Sequence, residues 1–337
     1  MLRIPAIFLF FITLLSCHNS EKVPDVSDIK VSFSTERFER EFFDTSALKI
    51  RSRLDALNTG AGTFSNNYLI RILGVDPRLP ADSNIKDIVS FIRSYQNVYD
   101  TVQQKFGDFT PYERELKKSF QFIKYYFPDY ELPKKIITYI GPADGYGDAL
   151  SYDGLLIGLH HHLGKDFSLY KTEMVRTYYP EYITNRCEPE YININSVKNI
   201  LSDIYPENTE DKPLVLQMID NGKRLYILHK LLPLIENSKL IGYTQKQYDD
   251  CISNEAVIWN MLVKNALLQV TDANITKNYI NDVPKTQELG EGAPGNVGSF
   301  IGWQIVKKYM GKYPDLSPKQ LIAMDPERIF EAAKYKP

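Results

Sequence analysis

The chain is sparing with the residues that usually carry chemistry. Its 337 residues include 3 Cys, 5 His and 2 Trp. It has no H-E-x-x-H, G-x-S-x-G, Walker A or Cys-x-x-Cys segment, which removes the standard signatures of zinc proteases, serine hydrolases, P-loop enzymes and dithiol oxidoreductases. It also lacks an excess of charge of either sign: 40 basic and 42 acidic residues leave a net charge of −2, which argues against a nucleic-acid-binding surface. Low-complexity tracts and fixed-period repeats are missing, so a solenoid or propeller is not expected. No stretch rich in Gly, Pro or Ser separates the chain into two domains. What remains is ample material for a core, with 43% apolar residues.

The longest apolar run is at the N-terminus. Ile4 to Leu15 follows the single positive charge of Arg3, and it is too short to span a bilayer but has the length of a signal h-region. It ends in Leu14-Leu15-Ser16-Cys17, the pattern of a bacterial lipobox, in which the cysteine receives lipid. We therefore expect a lipoprotein signal peptide at 1–16 and a polar tether at 17–28, followed by one folded domain at 29–337. Several acyl chains on Cys17 hold a protein firmly to a membrane, where one chain is marginal. Export places Cys187 and Cys251 in an oxidising compartment, so a disulfide is open to them; two separate buried thiols is the reading preferred here.

Most of the rest has helical periodicity. Apolar residues at helical spacing predict helices over about 84–106 and 112–127, the second stopped by Pro128. Lys135 to Ile140 is β-rich and ends in Gly141-Pro142, a loop is expected over 143–152, and Leu155 to Leu159 predicts a second strand pairing with the first. Further helices are expected near 190–203 and 213–232. Thr244-x-x-Gln247 is a capping-box pattern opening a long helix to about Val270, and Asn296 is expected to cap the next. Gly298 and Gly302, four apart, make a smooth stripe for close helix packing; with Gly295 they lack the spacing and preceding strand of a dinucleotide fingerprint.

Three of the five histidines stand together, His160, His161 and His162, at the end of the second strand. On a strand, His160 and His162 would share one face while His161 points away, so a metal would need a third ligand that no spacing marks. A polar strand end is the preferred reading. The other conspicuous residue is Glu255, which falls within the apolar stripe Tyr248, Ile252, Trp259, Leu262 and Ala266. A carboxylate there must be paired, protonated or facing a cleft. The expected partners are Lys223, Arg224 or amides near Pro294-Gly295.

Several blocks of the chain resemble the gliding motility-associated lipoproteins of the GldB-like family. They are QMIDNGKRLYILHKLLP (217–233), GYTQKQYDDCISNEAVIW (242–259), PGNVGSFIGWQIVKKYM (294–310) and the terminal KYKP (334–337). LLIGLHHHLGKD (155–166) fits less closely, since the family more usually has IGLE-like residues there. That family is in turn similar to zincin-like proteins, in which a small sheet precedes a zinc-binding helix. The resemblance implies an α+β, predominantly helical fold, a degenerate zincin-like domain with a small β-sheet. Yet YININSVKNILSD (191–203) stands about where H-E-x-x-H would belong and holds no histidine, and Asn221-Gly222 replaces Glu-Gly. The expected function is therefore a membrane-anchored envelope lipoprotein without enzymatic activity, a binding or assembly component of export or surface machinery at the outer membrane. Its expected partners are the membrane, through its lipid, and envelope proteins; no catalytic residue, metal or cofactor is assigned. Two alternatives from other classes are an exported metal-dependent hydrolase using a non-standard site around His160, His162 and Glu255, and a small-molecule-binding lipoprotein with an enclosed pocket.

Overall fold

The computed structural model describes residues 23–44, 46–57, 64–207 and 212–337. The expected leader and Cys17 lie outside the described residues. Strands β1 (Ser34–Arg37), β2 (Lys135–Tyr139), β3 (Ala149–Ser151) and β4 (Gly154–Gly158) form one mixed sheet in the order β1-β2-β4-β3. β2 runs parallel to both β1 and β4, with Ile137 opposite Leu156, while β3 is antiparallel to β4. Ile136 to Tyr139 on β2 and all of β4 are buried, as expected where helices cover both faces of parallel strands. The two expected strands thus pair with each other. The structure adds two more that carry little pattern: β1 is short and half-buried, and β3 lies inside the segment expected to be loop.

The rest is helical, so the chain is α+β and predominantly helical, and a single connected hydrophobic core runs from Val26 to Tyr335. Val26 is itself buried, and Gln121 Nε2 donates to the Ile29 carbonyl at 2.9 Å. The chain therefore joins the body a few residues before the expected boundary at 29. The expected helix over 84–106 is two helices, Ala81–Ser94 and Gln96–Phe106, broken at Tyr95. No proline causes the break; instead the Tyr95 hydroxyl accepts a 2.8 Å bond from the Ala143 N–H, and its ring stacks on Phe91. The long helix expected over 244–270 is also broken. It begins at the expected capping box on Thr244, stops at Ser253, resumes over Glu255–Lys264, and is followed by a 3-10 turn over Leu267–Gln269. Asn254 sits at the break with its side-chain amide on the Asp250 carbonyl, a local bond that competes with helix continuation.

The centre of the helical layer is the crossing of Leu214–Leu231 with Val297–Lys312, the most extensive element contact in the described chain. It is possible because the backbones touch at glycine: a Cβ added to Gly302 would lie 1.7 Å from the Met218 carbonyl, and one on Gly222 2.3 Å from Gly302. The glycine stripe is therefore a packing device. Asn296 does stand at the start of the Val297–Lys312 helix, but in the left-handed conformation and with no side-chain cap bond, contrary to expectation.

Candidate functional site

β4 ends at Gly158, and Leu159–His161 forms a 3-10 turn rather than more strand. The turn replaces the expected two-face alternation. The His160 and His161 rings meet edge to face with centroids 4.4 Å apart, while His162 turns to a different partner. A Cβ on Gly158 would lie 2.8 Å from His160 Cε1, and one on Gly141 3.3 Å from it, so the imidazole occupies space that only glycine leaves.

Hydrogen bonds assign the protons. The Gly141 N–H donates to His160 Nδ1 at 3.1 Å, so neutral His160 carries its proton on Nε2. That Nε2 is buried without a hydrogen-bond partner, as is Nε2 of His161. His162 has an acceptor at each nitrogen, the Glu188 carbonyl at 3.2 Å from Nδ1 and Asp148 Oδ2 at 2.8 Å from Nε2. Asp148 in turn accepts from Asn195 Nδ2 at 2.9 Å and from the Gly158 N–H at 3.0 Å. Two acceptors on one imidazole, with donors completing the carboxylate, describe an imidazolium–carboxylate pair.

The electrostatics divide the triplet accordingly. Burial, and after it the neighbouring His161 and His162 imidazoles, holds His160 well below the usual imidazole range. Burial and His162 push His161 down to about 4. His162 is raised: burial alone would lower it, but the Asp148 charge and hydrogen bond outweigh burial. Consecutive residues thus hold opposite protonation states.

This cluster is closed. The side chains of His162 and Asp148 are 1% and 3% exposed, so neither reaches a substrate. Among the described residues no hydroxyl or thiol hydrogen-bonds to His162, and no group of three His, Cys, Asp or Glu could hold a metal ion. A zinc site is also a poor match chemically, because His162 donates from both nitrogens and His160 Nδ1 is taken by Gly141. On the Tyr191–Ile204 helix, Asn195 serves Asp148 and Asn193 Oδ1 accepts from Ser119 at 2.9 Å. What the arrangement does is join β4, the 143–148 loop and that helix through one buried ion pair. Asp148 and Asn195 are missed by sequence reasoning: nothing in their spacing distinguishes Asp148 from its neighbours Asp144 and Asp153.

Glu255 lies far from this chemistry in the chain and has a different partner from those expected. It is half-buried and accepts a short hydrogen bond from the Tyr335 hydroxyl near the C-terminus. Lys307 is close enough for the Glu255 charge to favour its protonation, although burial still pushes that amine down to about 8. Lys223 is instead committed to Asp220 at 3.1 Å and to the Met324 carbonyl at 2.8 Å, and Arg224 stacks over Tyr205. Cys187 and Cys251 are both buried and free, each thiol pushed up to about 12 by burial.

A family model described as gliding motility protein GldB matches residues 19–337. No curated protein and no solved structure matches the chain.

Proposed function

We propose that this chain, which belongs to the gliding motility protein GldB family, is a lipid-anchored component of the cell envelope, at the outer membrane, that works by binding and assembly rather than by catalysis. The observation that carries the non-catalytic reading is the closed Asp148–His162 pair. The residues best suited to acid–base or metal chemistry spend both imidazole nitrogens on internal acceptors and are sealed from solvent. The degenerate zincin reading is supported by the order of elements, a small sheet followed by the Tyr191–Ile204 helix packed against β3 and β4. That helix bears asparagines where a zinc-binding helix would bear histidines. The anchor reading rests on the apolar run ending at Cys17. No helix among the described residues is long and apolar enough to cross a membrane.

The test is metal analysis and peptide hydrolysis on purified protein. We expect sub-stoichiometric zinc and no hydrolysis above buffer. Stoichiometric zinc together with hydrolysis abolished by a His160→Ala/His162→Ala double variant would establish the hydrolase instead.

A further inference from the structure

A pocket of about 240 Å³ opens between the Tyr191–Ile204 and Leu214–Leu231 helices and the start of Val297–Lys312. Two of its lining residues are basic, Lys198 and Arg224, and neither makes a hydrogen bond or ion pair with another described residue. Arg224 lies 4.6 Å over the Tyr205 ring, a stacking contact that fixes the guanidinium plane and leaves its N–H groups available. Glu207, also lining the pocket, offsets one of the two positive charges; Asp220, the other carboxylate that acts on Arg224, is already paired with Lys212 and Lys223, which leaves the pocket cationic. Burial pushes the Lys198 amine down to about 8, with the Arg186 guanidinium adding to the effect; the Asp282 carboxylate works the other way but is itself ion-paired to Arg186. Partly desolvated cations without partners are costly, and an anion entering the pocket removes that cost.

Two more features narrow the anion. Asn296 lines the same pocket, and its Oδ1 is buried with no donor among the described residues, so a ligand that brings an N–H as well as a negative charge suits the site. Leu228 and Ile241 supply an apolar wall for an aliphatic group. The volume is below the roughly 300–1,000 Å³ of pockets for drug-sized ligands, which suits a single residue. Asn296 also lines an adjoining cleft of about 380 Å³, through which a longer chain can leave.

We propose that this pocket binds the C-terminal residue of a partner polypeptide: its α-carboxylate on Arg224 and Lys198, its amide N–H on Asn296, and an aliphatic side chain against Leu228 and Ile241. The inference rests on the binding reading above only in taking the ligand to be a partner's chain end. A negative result in the test leaves the anchor and the non-catalytic reading standing.

The test uses the purified full chain in detergent and a fluorescent hexapeptide ending in leucine, followed by anisotropy. The free-carboxylate peptide should bind, and amidation of its terminus should weaken binding by about ten-fold or more. Arg224→Gln and Lys198→Gln should each weaken it about as much while the melting curve stays cooperative. Should Arg224→Gln unfold because it loses Tyr205, wild-type protein still decides: the peptide must protect Lys198 from acylation. Absence of protection, equal binding of the amidated peptide, or no binding at about 1 mM overturns the proposal. Inorganic phosphate competing as well as N-acetylleucine would reduce the pocket to a general anion site, and N-acetylleucine binding as tightly as the peptide would make the ligand a free acylated amino acid. Either result ends the chain-end assignment.

Discussion

At the scale of single residues, the histidine triplet shows how far identity falls short of role. His161 carries the depressed value of about 4 against an unfolded value near 6.5. A base whose folded value is depressed contributes stability that is whole above the unfolded value and is lost as pH falls toward the folded one. His161 therefore adds an acid-side slope approaching 1.4 kcal/mol per pH unit between about 6.5 and 4, and His160 acts in the same direction. His162 is the opposite case: being raised, its contribution is whole below the unfolded value and is lost as pH rises through the folded one. His161→Phe, which keeps the edge contact with Tyr179, should flatten the acid limb of a plot of urea midpoint against pH. An acid limb as steep as wild type would show that the His161 ring is not held neutral. Asp148→Asn leaves a buried imidazolium without its counter-ion and should cost roughly 3–5 kcal/mol in chemical denaturation. A cost under about 0.5 kcal/mol, the range of surface sites, would place the pair in solvent. The sequence displays three adjacent histidines, but which is charged depends on Asp148 and Glu188, 14 and 26 residues away in the chain.

At the scale of elements, helix type was legible and helix continuity was not. The apolar periodicity marks about 84–106 and 244–270 as helical, but each is interrupted at a residue with a side-chain hydrogen bond that periodicity does not register, Tyr95 with the distant Ala143 and Asn254 with the nearby Asp250 carbonyl. The second interruption brings Glu255 to the first turn of a new helix, where carboxylates are favoured, and turns it toward Tyr335. That contact ties the Glu255–Lys264 helix to the C-terminal tail, with Tyr335 also edge-on to Trp259 at 5.1 Å. In a double-mutant cycle, Glu255→Gln and Tyr335→Phe should show a coupling of about 1 kcal/mol, and additive effects would mean that the bond contributes nothing. The glycine crossing gives a sharper contrast. Gly302→Ala drives a methyl group into the Met218 carbonyl and should cost roughly 3 kcal/mol or more. Gly311→Ala, on the same helix but in open space, should be neutral or gain up to about 1 kcal/mol from helix propensity. Similar losses from both variants would remove close packing as the reason for glycine at 302.

At the scale of the whole molecule, attachment and fold are separable. Among the described residues the body is held together by one core that runs from Val26 to Tyr335. Cys17→Ser should move the protein from the membrane to the soluble fraction while the melting temperature of the body stays unchanged. A variant that remains membrane-bound would mean that something other than lipid on Cys17 holds it there.

The sequence by itself determined what depends on local pattern: the short apolar run before Cys17, the helical period over most of the chain, the continuous apolar strands of a covered sheet, the capping box at Thr244 and the glycine stripe at 298 and 302. The family blocks were legible in the same way, because they are contiguous. Tertiary structure alone decided what depends on residues distant in sequence. Ser34–Arg37 becomes a strand because β2 offers it a free edge, and Glu255 finds Tyr335 instead of Lys223 because Lys223 is already consumed by Asp220 and Met324. His162 is a cation next to two neutral imidazoles because a loop carboxylate reaches it in a sealed interior, where an unpaired charge could not remain. Local periodicity constrains which face of an element is apolar; it carries no information about which polar group on another element will be opposite.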